Sequence, residues 1–239
     1  MNRLHRWYCK TDHWRRTVEN QVLPWALDGI DLGEDVLEVG PGPGVTTDSL
    51  RYRAKHVECL EIDTALAASL ERRFPASNVT VRCGDATAMP YEDGRFASVL
   101  SFTMMHHIRT RELQDRFFSE AYRVLRPGGI FAGVDSLPSI LMSLFHVRDT
   151  LTLVGADTLT HRLASAGFID AHVDVGSGRF RFSAKRSADS TSGMSAHSGI
   201  ATGENFVRPL RSWQAGGCPG HDSSHLQTHN SHHCWPPSI

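Results

Sequence analysis

Hydrophobic and polar positions follow two different periods along residues 18–184 of the chain. Short runs rich in Val, Leu and Ile predict buried strands, and segments with apolar residues at helical spacing predict the helices between them. The predicted strands cover residues 35–39, 57–62, 79–83, 96–102, 130–134, 169–175 and 179–184. The predicted helices cover residues 18–27, 45–53, 64–74, 113–125 and 158–166.

This alternation of strands and helices predicts the fold class. It favours a doubly wound, mostly parallel sheet with helices on both faces. Only Gly176-Ser177-Gly178 joins the last two strands, which is too short for a crossover helix, so these strands form an antiparallel hairpin. The predicted architecture is therefore α/β, with seven strands and a C-terminal antiparallel hairpin.

The composition of the chain changes after residue 186. Residues 187–239 are rich in Ser, Gly and His and follow neither period, which predicts a disordered tail. Residues 1–22 are predicted to form an N-terminal helical cap, and residues 23–186 one folded domain. Histidines in the tail, such as His221, His225 and His229, suggest only incidental metal affinity, because the intervening residues do not favour a helix. No metal site is predicted.

The charge and the cysteines limit the possible partners and location. The chain carries 25 basic and 26 acidic side chains, and this near-neutrality argues against a nucleic acid partner. No run of 18 apolar residues is present, so no membrane span is expected. The first ten residues lack an apolar leader, and five cysteines do not suggest a disulfide framework, so a cytoplasmic location is expected. No feature of the sequence indicates the oligomeric state.

A glycine-rich turn follows the first predicted strand, with the sequence Glu38-Val-Gly40-Pro-Gly42-Pro-Gly44. Open α/β sheets bind nucleotides at such turns. The dinucleotide fingerprint G-x-G-x-x-G would need a glycine at Val45 or Thr47, so it fails in both registers. The pattern acid-x-G-x-G-x-G resembles instead the first motif of the class I S-adenosylmethionine-dependent methyltransferases. The resemblance implies that the glycines allow close approach of the backbone to the cofactor, and that Glu38 faces its ammonium group.

Further segments resemble this family in order and spacing. In the stretch 57–63 the resemblance implies that Glu61 holds the ribose hydroxyls and Asp63 caps the next helix, with Asp63 as the alternative ribose ligand. In Cys83-Gly84-Asp85-Ala86 it implies that Asp85 accepts from the adenine amino group. Segments 96–108 and 120–130 resemble the family's fourth and fifth strands, although Ala97 replaces the usual Asp. The cofactor-binding residues implied are Glu38, Gly40, Pro41, Gly42, Gly44, Glu61, Ile62, Gly84, Asp85, Ala86 and Ser101.

The chemistry implied is in-line transfer of the methyl group from S-adenosylmethionine, in which positioning is the main task of the enzyme. His106 and His107 follow the fourth strand and are the candidate bases, with His106 as the first hypothesis. The alternative for either histidine taken singly is a structural role, in which it packs under the cofactor or bonds to the backbone. The apolar segment 137–154 suggests either a lid over a hydrophobic or aromatic acceptor or a helix packed on the sheet. The aromatic residues Trp7, Tyr8 and Trp14 are expected to close the other side of the site.

The predicted function is therefore methyl transfer to a small, apolar or aromatic acceptor. The nearest subgroup is the ubiquinone/menaquinone-biosynthesis-like (type 11) enzymes. RNA adenine methylation is an alternative, because Leu60-Glu-Ile-Asp63 also resembles those enzymes. Against it, Ser101-Phe-Thr-Met stands where they need an Asn/Asp-Pro-Pro-Tyr-like motif to hold a flipped base. A catalytically inactive S-adenosylmethionine-binding module is the other alternative.

Overall fold

The computed structural model describes residues 7–9, 11–139, 150–176 and 178–188. Its strands are β1 (Asp35–Val39), β2 (His56–Glu61), β3 (Val79–Cys83), β4 (Phe96–Phe102), β5 (Leu125–Ser136), β6 (Ile169–Val175) and β7 (Arg179–Lys185). Its helices are α1 (Asp12–Thr17), α2 (Leu23–Ala26), α3 (Val45–Leu50), α4 (Thr64–Arg73), α5 (Arg111–Val124) and α6 (Ala156–Ser165). Within these ranges no helix is long and apolar enough to span a membrane.

The seven strands form one sheet in the order β3-β2-β1-β4-β5-β7-β6. The first five are parallel, and β7 runs antiparallel to both β5 and β6. The predicted fold class is confirmed. The chain adds strands outward from β1 to β3 and then returns to the other side of β1 with β4, so the strand order reverses between β1 and β4. Open sheets of this kind bind ligands at the carboxyl ends of the strands at that point.

Alternating side chains of the strands supply two separate cores, one on each face of the sheet. In β1, Leu37 and Val39 belong to one buried cluster, which Phe117 and Phe118 of α5 complete. Val36 belongs to the other cluster, together with residues of α2, α3 and α4. Helices therefore cover both faces, as the hydrophobic pattern predicts.

Several element bounds differ from the predicted ones for local reasons. Helix α5 begins earlier, at Arg111, because the Thr110 hydroxyl accepts a hydrogen bond from the Leu113 N–H at 3.2 Å and caps the helix. Strand β5 begins at Leu125 rather than at residue 130, and residues 126–129 form a bulge in its pairing with β4, where Gly128 has a φ angle of +75°. Hydrogen bonds from Gly128 N–H to the Arg186 carbonyl (3.0 Å) and from Arg186 N–H to the Gly129 carbonyl (2.9 Å) hold this bulge in place. The N-terminal helix passes through a π-helical turn, Val18–Val22.

Candidate functional site

A cavity of about 510 Å³ lies at the carboxyl ends of the central strands. This volume is within the range of small-molecule sites, roughly 300–1,000 Å³. The glycine turn, the ends of β2, β3 and β4, and the N-terminal helix all contribute to its wall. The wall includes residues 39–43, 60–63, 84–87, 102–104 and 107–109, together with Cys9, Trp14, Val18, Val22, Val45, Thr46, Leu66 and Leu113.

The glycine turn has a backbone that side chains would not tolerate. Gly40, Gly42 and Gly44 have φ angles of +69°, +55° and +81°. A Cβ atom on Gly40 would collide with Met104, which follows β4. The absence of a side chain at Gly40 therefore lets the loop after β4 pack closely against the glycine turn. Gly40, Pro41 and Gly42 line the cavity, whereas Gly44 precedes α3 and is not part of the wall.

Glu61 is a buried carboxylate in the cavity wall at the end of β2. Its Oε2 accepts from the Gly42 N–H and its Oε1 from the Asp63 N–H, both at 3.0 Å. Burial raises the pKa of Glu61 above its ordinary value, while these hydrogen bonds act in the opposite direction. The Asp63 Oδ1 accepts from Ala65 N–H (2.9 Å) and Leu66 N–H (3.1 Å), so the predicted helix cap is confirmed.

The wall beyond Glu61 offers groups that suit an adenine ring. Ile62 lines the cavity with 68% of its surface exposed, which is unusual for a large aliphatic side chain and leaves an apolar face for a ring. The Asp85 Oδ1 accepts from the Thr87 N–H at 2.8 Å and the Thr87 hydroxyl at 2.9 Å. Among the described residues, its second oxygen accepts no hydrogen bond. Gly84 and Ala86 lie in the same wall.

Glu38 and Ser101 do not line the cavity, contrary to the sequence-based expectation. Glu38 is fully buried and accepts hydrogen bonds from the hydroxyls of Thr46 and Thr47, the latter at 2.6 Å. It shares a face of β1 with Val36, against which α3 packs, so it joins β1 to α3 instead of facing a ligand. Burial raises its pKa. Ser101 is buried in β4, opposite Val39 of β1 and Gly133 of β5.

The two histidines occupy different environments. His106 is 1% exposed and is absent from the cavity wall. The Asp135 carboxylate contacts the His106 ring Nδ1 at 2.5 Å and accepts from its backbone N–H at 3.2 Å. His107 lines the cavity, and its ring centroid lies 4.3 Å from that of His106. Of the two candidate bases, His107 lines the cavity and His106, the first hypothesis, does not.

The N-terminal residues contribute more to the wall than the sequence indicates. Trp14 lies in it, and Tyr8 packs against Trp14 with a centroid distance of 5.6 Å, whereas Trp7 is 65% exposed and outside it. Cys9 also lines the cavity, and burial raises the pKa of its thiol to about 11. The helical spacing of Val18 and Val22 is the signal for their buried face, but it does not show that the cavity lies against it.

Two sequence-based expectations concern residues that the structure does not describe. Most of segment 137–154, the expected acceptor lid, falls on residues 140–149, and nearly all of the expected tail falls on residues 189–239 with its histidines. Within the described ranges no group of three or more His, Cys, Asp or Glu residues could hold a metal ion.

Comparison with known proteins identifies a family for the region that runs from β1 into β5. Residues 37–133 match the family model described as a methyltransferase domain. A probable S-adenosylmethionine-dependent methyltransferase of Mycolicibacterium smegmatis is 34% identical over 169 residues, which are 67% of this chain and 61% of that protein. Ribosomal RNA small subunit methyltransferase A of a Synechococcus strain is 39% identical over 102 residues, covering 40% of this chain and 36% of that protein. The chain thus spans less than two thirds of either relative.

A solved structure has a similar fold. It is the putative methyltransferase of Haloferax volcanii in complex with the Trm112 methyltransferase activator, with a TM-score of 0.63 and 15% identity. The match covers 78% of this chain and 99% of that one. None of these three similarities singles out the quinone-biosynthesis subgroup that the sequence suggests.

Proposed function

We propose, from the premise that this chain carries a class I S-adenosylmethionine-dependent methyltransferase domain, that the protein methylates a small apolar or aromatic acceptor. When bound, S-adenosylmethionine supplies an activated methyl group for in-line displacement. The observation that carries the proposal is a cavity that joins the glycine turn, Glu61 and Asp85 to a mostly apolar remainder, in which Arg109 is the one cationic side chain among the described lining residues. The protein's task is to hold the two reactants in line and exclude water.

The residues of the β2 and β3 ends fit the cofactor. Glu61 is fixed by the N–H groups of Gly42 and Asp63, and a carboxylate can accept from two ribose hydroxyls. The second oxygen of Asp85 suits the adenine amino group, and Ile62 offers its apolar surface to the ring. The backbone of Gly40 to Gly42 lies in the cavity wall, where the methionine part of the cofactor can approach it closely.

The rest of the wall supports an apolar acceptor. Val18, Val22, Phe102, Ile108 and Leu113 are aliphatic or aromatic and lie in the same cavity. Such a surface binds a phenol, a quinol or a lipid-like ring better than a charged molecule. His107 lies in this wall, where its imidazole could act as the general base for an acceptor that loses a proton.

Calorimetry followed by a transfer assay tests the proposal. S-adenosylmethionine is expected to bind, and Glu61→Gln is expected to weaken binding by about tenfold, because a hydrogen bond to a charged group is lost. Formation of S-adenosylhomocysteine is then measured with a panel of phenols, quinols and lipids. Failure to bind S-adenosylmethionine would reject the proposal. Binding without transfer to any panel member would favour an inactive binding module.

RNA methylation is the second candidate, because part of the chain resembles ribosomal RNA small subunit methyltransferase A. Two observations weigh against it. The end of β4 and the two residues after it read Ser101-Phe-Thr-Met in place of the Asn/Asp-Pro-Pro-Tyr-like motif that holds a flipped base, and the chain has no excess of basic residues. Transfer of labelled methyl to ribosomal RNA, in the absence of transfer to the small-molecule panel, would establish this candidate instead.

A further inference from the structure

Thr103 has a backbone conformation that is unfavourable for its residue type. Its φ angle is +51°, in the left-handed region. Among the described residues only Ala76 and Asp170 share this feature without being glycine. Threonine is β-branched, so its side chain tolerates this region poorly, and strain of this kind persists only where surrounding contacts enforce it.

Neighbouring contacts enforce the conformation of Thr103. Its N–H donates to the Val134 carbonyl of β5 at 2.7 Å, which fixes the peptide at the end of β4. The next residue, Met104, occupies the space that a Cβ atom on Gly40 would fill. The loop after β4 is thus locked to the glycine turn after β1, directly at the point where the strand order reverses.

The hydroxyl of Thr103 is available to a ligand. The residue lines the cavity and is half-buried, and its hydroxyl forms no hydrogen bond to any residue in the described part of the chain. A strained residue that offers a polar group to a cavity indicates a role in ligand binding, because structural packing alone would favour glycine or asparagine at this φ angle.

The order of the strands indicates which part of the ligand lies beside Thr103. Asp85 follows β3 and Glu61 ends β2, and the proposed function assigns them to the adenine and the ribose. The next strands along the sheet are β1 and β4, where Gly40 and Thr103 lie. The part of the cofactor that continues beyond the ribose carries the sulfonium, so the sulfonium belongs at Thr103.

We propose that Thr103 is held in its strained conformation so that its hydroxyl oxygen contacts the methyl-bearing sulfonium of the cofactor. This inference rests on the proposed function. An oxygen lone pair attracts a positive charge, and the attraction is stronger in a cavity than in water. The product, S-adenosylhomocysteine, is a neutral thioether and lacks this attraction. Thr103 therefore distinguishes the methylated cofactor from the spent one.

Calorimetry of the full-length protein with S-adenosylmethionine and with S-adenosylhomocysteine tests this inference without any acceptor. Thr103→Val and Thr103→Gly are expected to weaken S-adenosylmethionine binding by about tenfold, as for one hydrogen bond to a charged group. Binding of S-adenosylhomocysteine should change by less than about twofold. Thr103→Ser keeps the hydroxyl and should bind both ligands like the parent protein.

Ala76→Gly is the matched control, since Ala76 has a φ angle of +49° in the exposed turn between α4 and β3, away from the cavity. Both glycine variants should unfold at or above the unfolding temperature of the parent, because each relieves strain, but only Thr103→Gly should lose affinity.

The inference would be overturned if the variants that lack the hydroxyl bound each ligand as tightly as the parent does. An equal loss of both ligands would assign Thr103 a structural role. If the parent protein binds neither ligand, the proposed function itself fails.

Discussion

Glu38 and Glu61 are two buried carboxylates on neighbouring strands, and burial raises the pKa of both. Their partners differ. Glu38 accepts from two threonine hydroxyls of α3, whereas Glu61 accepts from backbone N–H groups and lies in the cavity wall. The acid of the glycine motif is therefore a structural link between β1 and α3, whereas the acid of β2 faces the cavity.

The burial of Glu38 should make the difference in unfolding free energy between the parent and Glu38→Gln depend on pH. Because its pKa is higher in the folded than in the unfolded protein, the stability that the group contributes is complete below the unfolded pKa. That stability is lost as pH rises through the folded pKa. Glu38→Gln, which does not titrate, should therefore gain stability relative to the parent as pH rises from about 4 towards 8. Urea unfolding at several pH values measures this difference.

The same variant tests the location of Glu38. Since Glu38 is not part of the cavity wall, Glu38→Gln should bind S-adenosylmethionine within about threefold of the parent, less than the loss of one hydrogen bond to a charged group. A stability difference that stays constant with pH, or a large loss of affinity, would contradict this placement.

The adjacent histidines should respond differently to substitution. His106→Ala removes one partner of a buried pair and leaves the Asp135 carboxylate with only backbone donors, so unfolding free energy should fall by about 3 kcal/mol. His107→Gln should change stability by less than about 1 kcal/mol. It should slow methyl transfer by about 100-fold where the acceptor loses a proton. Urea unfolding and S-adenosylhomocysteine formation measure the two effects.

His107→Gln also provides its own control, because the affinity for S-adenosylmethionine should stay close to that of the parent. Full transfer activity in His107→Gln would remove this residue from the mechanism. A fully stable His106→Ala variant would show that the contact with Asp135 contributes little.

At the scale of elements, an ionic cluster fastens α1 to the cofactor side of the molecule. Asp48 of α3 pairs with Arg15 of α1 at 2.6 Å and with Arg73 of α4, and Arg73 also donates to the Pro43 carbonyl at 2.5 Å. Because Trp14 and Val18 beside Arg15 line the cavity, this cluster holds one wall of the site in place.

Loss of the Arg15 pair should loosen that wall. Arg15→Ala is expected to weaken S-adenosylmethionine binding by about three- to fivefold, a modest effect because the pair is partly exposed. Arg16→Ala is the matched control, since Arg16 is exposed and forms no ion pair among the described residues. Calorimetry at low and high salt checks both variants, and equal affinities would show that α1 does not depend on the cluster.

Element types were predictable from the sequence, whereas several element ends were not. The hydrophobic pattern identifies β1, β3 and β4 with their observed bounds, β1 and β4 as buried runs and β3 as an edge strand of which only Val79 is buried. The extension of β5 through Pro127-Gly128-Gly129 depends on hydrogen bonds to Arg186, which is far away in sequence. Local propensity alone cannot predict such long-range contacts.

At the scale of the whole molecule, the sequence predicted the cavity wall at the ends of β2 and β3 better than the rest of the wall. Motifs follow single strand ends, so Glu61, Ile62 and Asp85 could be found from local patterns. The contributions of Cys9, Val18 and Thr103 to the wall arise only when the N-terminal helix and the loop after β4 meet over the sheet. The choice between His106 and His107 likewise depends on Asp135, which lies on another strand.

Both hydrophobic cores and every described cavity residue lie before residue 189. A protein that ends at residue 188 should therefore retain the free energy of unfolding within about 1 kcal/mol, because it loses none of the described core contacts. Its affinity for S-adenosylmethionine should stay within about twofold. Urea unfolding and calorimetry of the shortened and the full-length protein measure both quantities.

A lower denaturant slope for the shortened protein would indicate that residues 189–239 bury surface on folding, since that slope scales with the surface exposed on unfolding. Unchanged stability and slope with a lower affinity would instead place part of these residues at the ligand.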